Sequence, residues 1–275
     1  MTVAAPASIR SAEFLTFEKS SSRAAQIFGA LMTAAPDIRM KHSYHYTGDS
    51  DLLVVWGAGS PLRWPALERQ RSMGKHWVAF DLAYWHRDVK VRLSIDAPHP
   101  QAWVMAREWP AHRWQADRVP VSDAWDPSGP VIVAGLGDKA RVQYGAGVVD
   151  LWEGEMIRQS QARGRRVLYR PKAAHSPVPA GLSAVIGPID AALRGASLVC
   201  TLHSNVAVDA IRLGIPVVCQ DGAAAAVCPS TIPADLRPLA PSVRDRFLAN
   251  LAWFQWGFTP DEARGCWAFL RELLA

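Results

Sequence analysis

Short apolar runs alternate with stretches of helical spacing along most of this chain, the pattern of an α/β protein with parallel sheets. In the first half the pattern predicts a helix over Ser21–Ala34 and a strand over Asp51–Val55 that runs into Trp56-Gly57-Ala58-Gly59. A helix over Pro65–Met73, strands over Trp77–Phe80 and Lys90–Ile95, and a turn at Asp96–Pro100 follow. Residues 109–130 carry prolines and mixed polarity without a period, which reads as a linker. The alternation resumes with strand Val131–Ala134, helix Leu151–Ala162 stopped at Gly164, strand Arg166–Tyr169, and helix Pro188–Leu193 stopped at Gly195. The stretch Val243–Leu274 reads as helix broken near Trp256–Pro260. Two domains are expected, 1–128 and 129–275.

The segment ASLVCTLHSNVAVDAIRLGIPVVCQDG, Ala196 to Gly222, is the most legible. An apolar strand, Ser197–Leu202, gives way abruptly to His203-Ser204-Asn205. A helix follows with Val206, Ala210 and Leu213 on one face, and Gly214 ends it. Pro216 leads into strand Val217–Cys219 and a second polar turn at Asp221-Gly222. Polar turns at the carboxyl ends of parallel strands are where open α/β sheets bind ligands. Backbone N–H groups at Ser204 and Asn205, opening the helix, suit an anion such as a phosphate.

Composition narrows the class. With 49% hydrophobic and 20% charged residues the chain is an ordinary folded protein. No apolar run reaches the roughly 20 residues needed to span a bilayer. The start, MTVAAPASIRSAEF, lacks the apolar core of a secretory signal, so a cytoplasmic location is expected. Cys200, Cys219, Cys228 and Cys266 show no CxxC spacing, which points to buried thiols rather than a metal site or disulfides. A net charge of +5 permits a polyanionic partner without requiring one. The twelve tryptophans suit stacking on sugars or bases as well as core packing. Gly57 with Gly59, and Gly135 with Gly137, fall short of a dinucleotide fingerprint, so a nicotinamide site is not expected.

HSNVAVDAIRLGIPVV resembles the donor-site pattern of GT-B glycosyltransferases, with Ser204-Asn205, Asp209-Ala210, Gly214 and Pro216 in register. Tyr169-Arg170-Pro171-Lys172 is similar to the basic strand end that meets the donor diphosphate in such enzymes. VVWGAGSP followed by VAFDLAYWHR resembles an arrangement in bacterial capsule Kdo transferases, whose acid maps to Asp81, with Tyr84 and Arg87 near its aromatic and arginine. Here the motif's glycine is replaced and one residue is inserted. Most of the chain also resembles short phage-encoded proteins with the run YRPK…GASLV…HSNxAVDA…GxPVV and an ending in LAWxQW, here Leu251 to Trp256.

These resemblances imply two Rossmann-like parallel-sheet domains, GT-B-like, with a C-terminal helix packing back on the N-terminal domain. They imply transfer of a sugar from a nucleotide sugar, a UDP-sugar first among them, with no separate cofactor. With Arg170 and Lys172 to oppose the diphosphate charge, no metal is expected. The phage context implies a hydroxymethylated pyrimidine in DNA as acceptor, 5-hydroxymethylcytosine included, in the host cytoplasm. The expected donor contacts are Arg170, Lys172, His203, Ser204, Asn205, Asp209, Asp221 and Gly222. Asp81 is the expected base, with His99 in its Pro-His-Pro turn second, and Gly57, Tyr84, Trp85 and Arg87 are expected on the acceptor side. Two rival readings stay open: transfer to a polysaccharide or lipid-linked glycan, and a non-catalytic Rossmann-like protein that binds nucleic acid.

Overall fold

The computed structural model describes residues 9–16, 22–173 and 176–275. In chain order the elements are β1 (Ser11–Leu15), α1 (Ser22–Ala34), β2 (Arg39–Ser43), β3 (Leu52–Trp56), α2 (Trp64–Ser72), β4 (His76–Leu82), β5 (Lys90–Ile95), α3 (Gln101–Val104), α4 (His112–Asp117), β6 (Val131–Ala134) and α5 (Asp138–Tyr144). There follow α6 (Ala146–Ala162), β7 (Val167–Arg170), β8 (Ser183–Ala184), α7 (Ile189–Leu193), β9 (Leu198–Thr201), α8 (Val206–Arg212), β10 (Val217–Cys219), α9 (Pro241–Leu251), β11 (Gln255–Gly257) and α10 (Pro260–Leu273). They form two compact units, Met1–Pro100 with Trp253–Ala275, and Gln101–Ala252.

The first unit holds a six-stranded sheet in the order β11-β5-β4-β3-β1-β2. Strands β2, β1, β3 and β4 run parallel, whereas β5 is antiparallel to β4 and β11 antiparallel to β5. Strand β3 is buried except at its last residue, as its Leu-Leu-Val-Val run requires of a central parallel strand. Strand β1 carries Glu13, only 1% exposed, in its middle. Its carboxylate is fully engaged, accepting from Ser43 Oγ at 2.7 Å and from the Thr47 N–H and hydroxyl at 3.0 and 2.9 Å. Burial works against the ionised form, but these bonds and nearby Lys41 outweigh it and hold the group below its ordinary value.

Helix α10 packs against α1 within this unit. Ala263, Cys266, Trp267 and Leu270 on one helix and Ala24, Ile27, Phe28 and Leu31 on the other are buried at i, i+3, i+4 and i+7 spacing. The Trp267 indole N–H donates to the Leu31 carbonyl at 2.9 Å, so the largest side chain in the contact also has its polar atom satisfied. Thr259 caps α10 by accepting the Glu262 N–H, and the Glu262 carboxylate accepts the Gly257 N–H at 3.1 Å.

The second unit holds a five-stranded, wholly parallel sheet in the order β10-β9-β6-β7-β8. Counted within the unit this is the order 3-2-1-4-5 of a Rossmann-like sheet, and it reverses between β6 and β9. Both strands at the reversal are buried throughout.

Several expectations shift. The expected boundary at 128/129 falls inside the second unit. Residues 101–128 belong with it because the Trp125 indole donates to the Ser197 carbonyl, Ser122 and Ala124 donate to Arg212 and Leu213, and Trp109 donates to Asn250. The expected linker contains α4. Asp81 lies within β4 rather than beyond a strand ending at Phe80. The break in the C-terminal helical stretch is an edge strand, β11. Ser21, the expected start of α1, and the first eight residues lie outside the described residues.

Candidate functional site

In the second unit the carboxyl ends of β6, β7, β9 and β10 bring several expected residues together. Strand β6 runs out into Gly135-Leu136-Gly137, and a Cβ on Gly135 would stand 2.1 Å from the Tyr169 hydroxyl, so only glycine fits. A Cβ on Gly137 would meet Cγ of Lys172 at 3.1 Å. The stem of Lys172, just past β7, therefore lies along this loop. Arg170 is the last residue of β7, and its Nη2 donates to the Gly187 carbonyl at 3.1 Å.

His203 follows β9, and its ring packs on Tyr144 of α5 with centroids 5.3 Å apart. The Tyr144 hydroxyl donates to the Asp221 carboxylate, whose other oxygen accepts Gln101 Nε2 at 2.8 Å. The expected donor contact at Asp221 thus already carries two protein partners. Gly222 packs closely against His203, its absent Cβ falling 3.1 Å from the His203 Cα and carbonyl oxygen.

The reading of Ser204 changes. Its N–H donates to the Thr201 hydroxyl at 3.0 Å and is not free for an anion, because the last residue of β9 is a threonine able to close that turn. The Ser204 hydroxyl accepts the Val206 N–H only at 3.4 Å. Asn205 occupies the N-cap position of α8 without a side-chain capping bond. Asp209 sits on α8 at 8% exposure, in a helix whose seven residues are all buried.

The first unit has its own cluster at the carboxyl ends of β3 and β4. Gly57, with φ at +69°, donates its N–H to the Phe80 carbonyl at 2.7 Å and leaves space beside Asp81 Oδ2. Asp81 pairs directly with Arg92 across β4 and β5, and Arg92 Nη2 donates to Asp81 Oδ2 at 3.1 Å. Asp81 Oδ1 accepts the Leu82 N–H at 2.7 Å. Burial pulls the Arg63 guanidinium below its ordinary value, and the Asp81 charge partly offsets this. His99 is buried, its Nδ1 3.1 Å from Arg92 Nη1. Tyr84 and Trp85 are buried, and both of their N–H groups donate to Gln255 Oε1. Arg87 folds back on the Ala83 and Tyr84 carbonyls. These contacts shape the 83–88 loop.

Sequence reasoning passed over Arg92, Arg63, Tyr144 and Gln101. Arg92 is a polar member of an alternating strand, which ordinarily faces water, and Tyr144 lies on a helix too short to show a period.

A cleft of about 730 Å³ in the second unit is lined by Trp125, Arg165, Ser197 and Arg244. Arg165 and Ser197 precede β7 and β9, so this cleft lies at the amino edge of the sheet, away from the turns above. Among the described residues no helix is long and apolar enough to cross a membrane, and no three His, Cys, Asp or Glu side chains gather to hold a metal. Cys200, Cys219 and Cys266 are buried free thiols, and Cys228 is partly buried.

No protein-family model and no curated protein matches the chain. Its fold is similar to that of KpsC from Thermosulfurimonas dismutans, a beta Kdo 2,7 transferase, at 14% identity over 90% of this chain and 91% of that one, with a TM-score of 0.53. It is similar to the beta Kdo 2,4 transferase of the same KpsC at 12% identity over 90% and 92%, with a TM-score of 0.50. At such identity the likeness speaks for the fold alone, and that fold is GT-B-like: two Rossmann-like units, with the C-terminal helix packed on the first.

Proposed function

We propose that this protein is a glycosyltransferase that takes a nucleotide sugar as donor and passes the sugar to a hydroxyl group. The observation that carries the reading is the reversal of strand order between β6 and β9, with the Lys172 stem along the Gly137 loop and His203 at the end of β9. Ligands of open α/β sheets bind at such a reversal, outside the carboxyl ends of the strands. The GT-B-like fold is in keeping with this reading.

In this reading the second unit holds the donor. Arg170 and Lys172 oppose the negative charge that grows on the leaving phosphate, each contributing roughly 3 kcal/mol when well oriented. His203, Asn205, Ser204 through its hydroxyl, and the Asp221-Gly222 turn shape the nucleotide side. Asp209, buried on α8, belongs to the same donor side. The first unit supplies the base. Asp81 takes the acceptor hydroxyl proton, beside the open space left by Gly57, while Tyr84, Trp85 and Arg87 set the loop around it.

The acceptor follows from phage resemblance alone when it is taken to be a hydroxymethylpyrimidine in DNA, and neither the geometry nor the fold likeness adds support to it. Thermal unfolding in the presence of individual nucleotide sugars tests the donor reading. One nucleotide sugar is expected to raise the unfolding temperature in a concentration-dependent way. No shift with any of them, together with no binding by calorimetry, contradicts it.

A further inference from the structure

The two candidate bases of the first unit are joined through one guanidinium. Arg92, 7% exposed, donates through Nη2 to Asp81 Oδ2 at 3.1 Å, and its Nη1 lies 3.1 Å from His99 Nδ1. Its guanidinium carbon also lies 5.9 Å from the centroid of the Tyr84 ring. A guanidinium has donors only and keeps its proton in proteins. His99 Nδ1 must therefore accept, so the ring is neutral and its proton sits on Nε2. At 3% exposure, between Pro98 and Pro100, His99 has little freedom to turn over. Asp81 is different: 38% of its side chain is exposed, and its carboxylate is held by Arg92 on one oxygen and the Leu82 N–H on the other.

We infer that Arg92 is the positioning residue of the acceptor half, aiming Asp81 as the proton acceptor and committing His99 to the neutral Nε2–H form, a donor and not the base. This rests on the glycosyltransferase reading. In the step concerned, the acceptor O–H gives its proton to the Asp81 carboxylate and its oxygen bonds to the anomeric carbon. The bond from that carbon to the donor phosphate breaks, and its electron pair leaves with the nucleotide.

The tautomer is read by long-range proton–nitrogen NMR on the full chain with isotope-labelled histidine at about pH 7, His99 being assigned through backbone correlations. A single neutral Nε2–H form is expected. An Nδ1–H form or an imidazolium overturns the inference. Arg92→Met is then expected to lower kcat about 100-fold with the donor KM within about twofold of wild type, and Arg92→Lys to recover part of the loss. An unchanged kcat, or a loss confined to KM, also overturns it. Should the wild-type protein turn over no nucleotide sugar, the glycosyltransferase reading fails while the NMR result still decides the Arg92–His99 arrangement. Because that spectrum needs no variant, a misfolded Arg92→Met protein does not block the test.

Discussion

The carboxylate of Glu153 on α6 accepts the backbone N–H of Leu136 at 2.9 Å, so a buried charge holds the glycine loop that leaves β6. The same carboxylate accepts the Tyr169 hydroxyl at 3.1 Å and pairs with Arg141 at 3.3 Å. Burial, reinforced by the Glu153 charge, pushes the Tyr169 phenol well above its ordinary value, so it remains a donor. Glu153→Ala leaves the Leu136 amide and the Tyr169 hydroxyl without their partner in a dry environment. A loss of about 2 to 3 kcal/mol in denaturant unfolding is expected, against about 1 kcal/mol for Glu153→Gln, which keeps an acceptor. A wild-type unfolding midpoint for Glu153→Ala contradicts this account of the loop.

Lys172 separates donor binding from stability. Its side chain is exposed, with its stem along Gly137, so little packing depends on it. Lys172→Ala is expected to weaken nucleotide-sugar affinity about tenfold, or about 1.4 kcal/mol, while the unfolding temperature stays unchanged. Calorimetric titration against the donor checks it, and unchanged affinity removes Lys172 from the donor contacts.

His76 makes the first unit's stability depend on pH. Its Nδ1 lies 2.6 Å from Asp96 Oδ2, and this hydrogen bond raises the imidazole above its ordinary value despite partial burial. A raised folded-state value stabilises the fold fully below the ordinary 6.5 and loses that contribution as pH rises through the folded value. With His76 nearly half exposed the effect is well under about 1 kcal/mol. The stability difference between wild type and His76→Asn is expected to be larger at about pH 6 than at about pH 8.5. Denaturant titration at the two values measures it; equal differences contradict the assignment.

The apolar strands were the legible part. The bounds of β5 and β6 coincide with the runs Lys90–Ile95 and Val131–Ala134. Strand β1 was passed over because Glu13 interrupts its apolar residues, and it is Ser43, Thr47 and Lys41, distant in sequence, that make that glutamate tolerable in a core. At the candidate site, the positions of Lys172 and His203 just past apolar strands were readable. The state of the Ser204 N–H was not, because it depends on whether the Thr201 hydroxyl turns toward it. Arg92 was hidden for a related reason. Its pairing with Asp81 depends on an antiparallel register that no local pattern of Lys90–Ile95 reveals.

Transfer itself tests the central claim most directly. The wild-type protein and Asp81→Asn would be incubated with nucleotide sugars and with two acceptor classes, DNA containing 5-hydroxymethylpyrimidine and free oligosaccharide, and the products weighed by mass spectrometry. The account predicts that the wild type adds the mass of one sugar to a hydroxyl-bearing acceptor. It also predicts that Asp81→Asn binds donor normally yet transfers about 100-fold or more slowly. No transfer from any nucleotide sugar to either acceptor class, or undiminished transfer by Asp81→Asn, would contradict it.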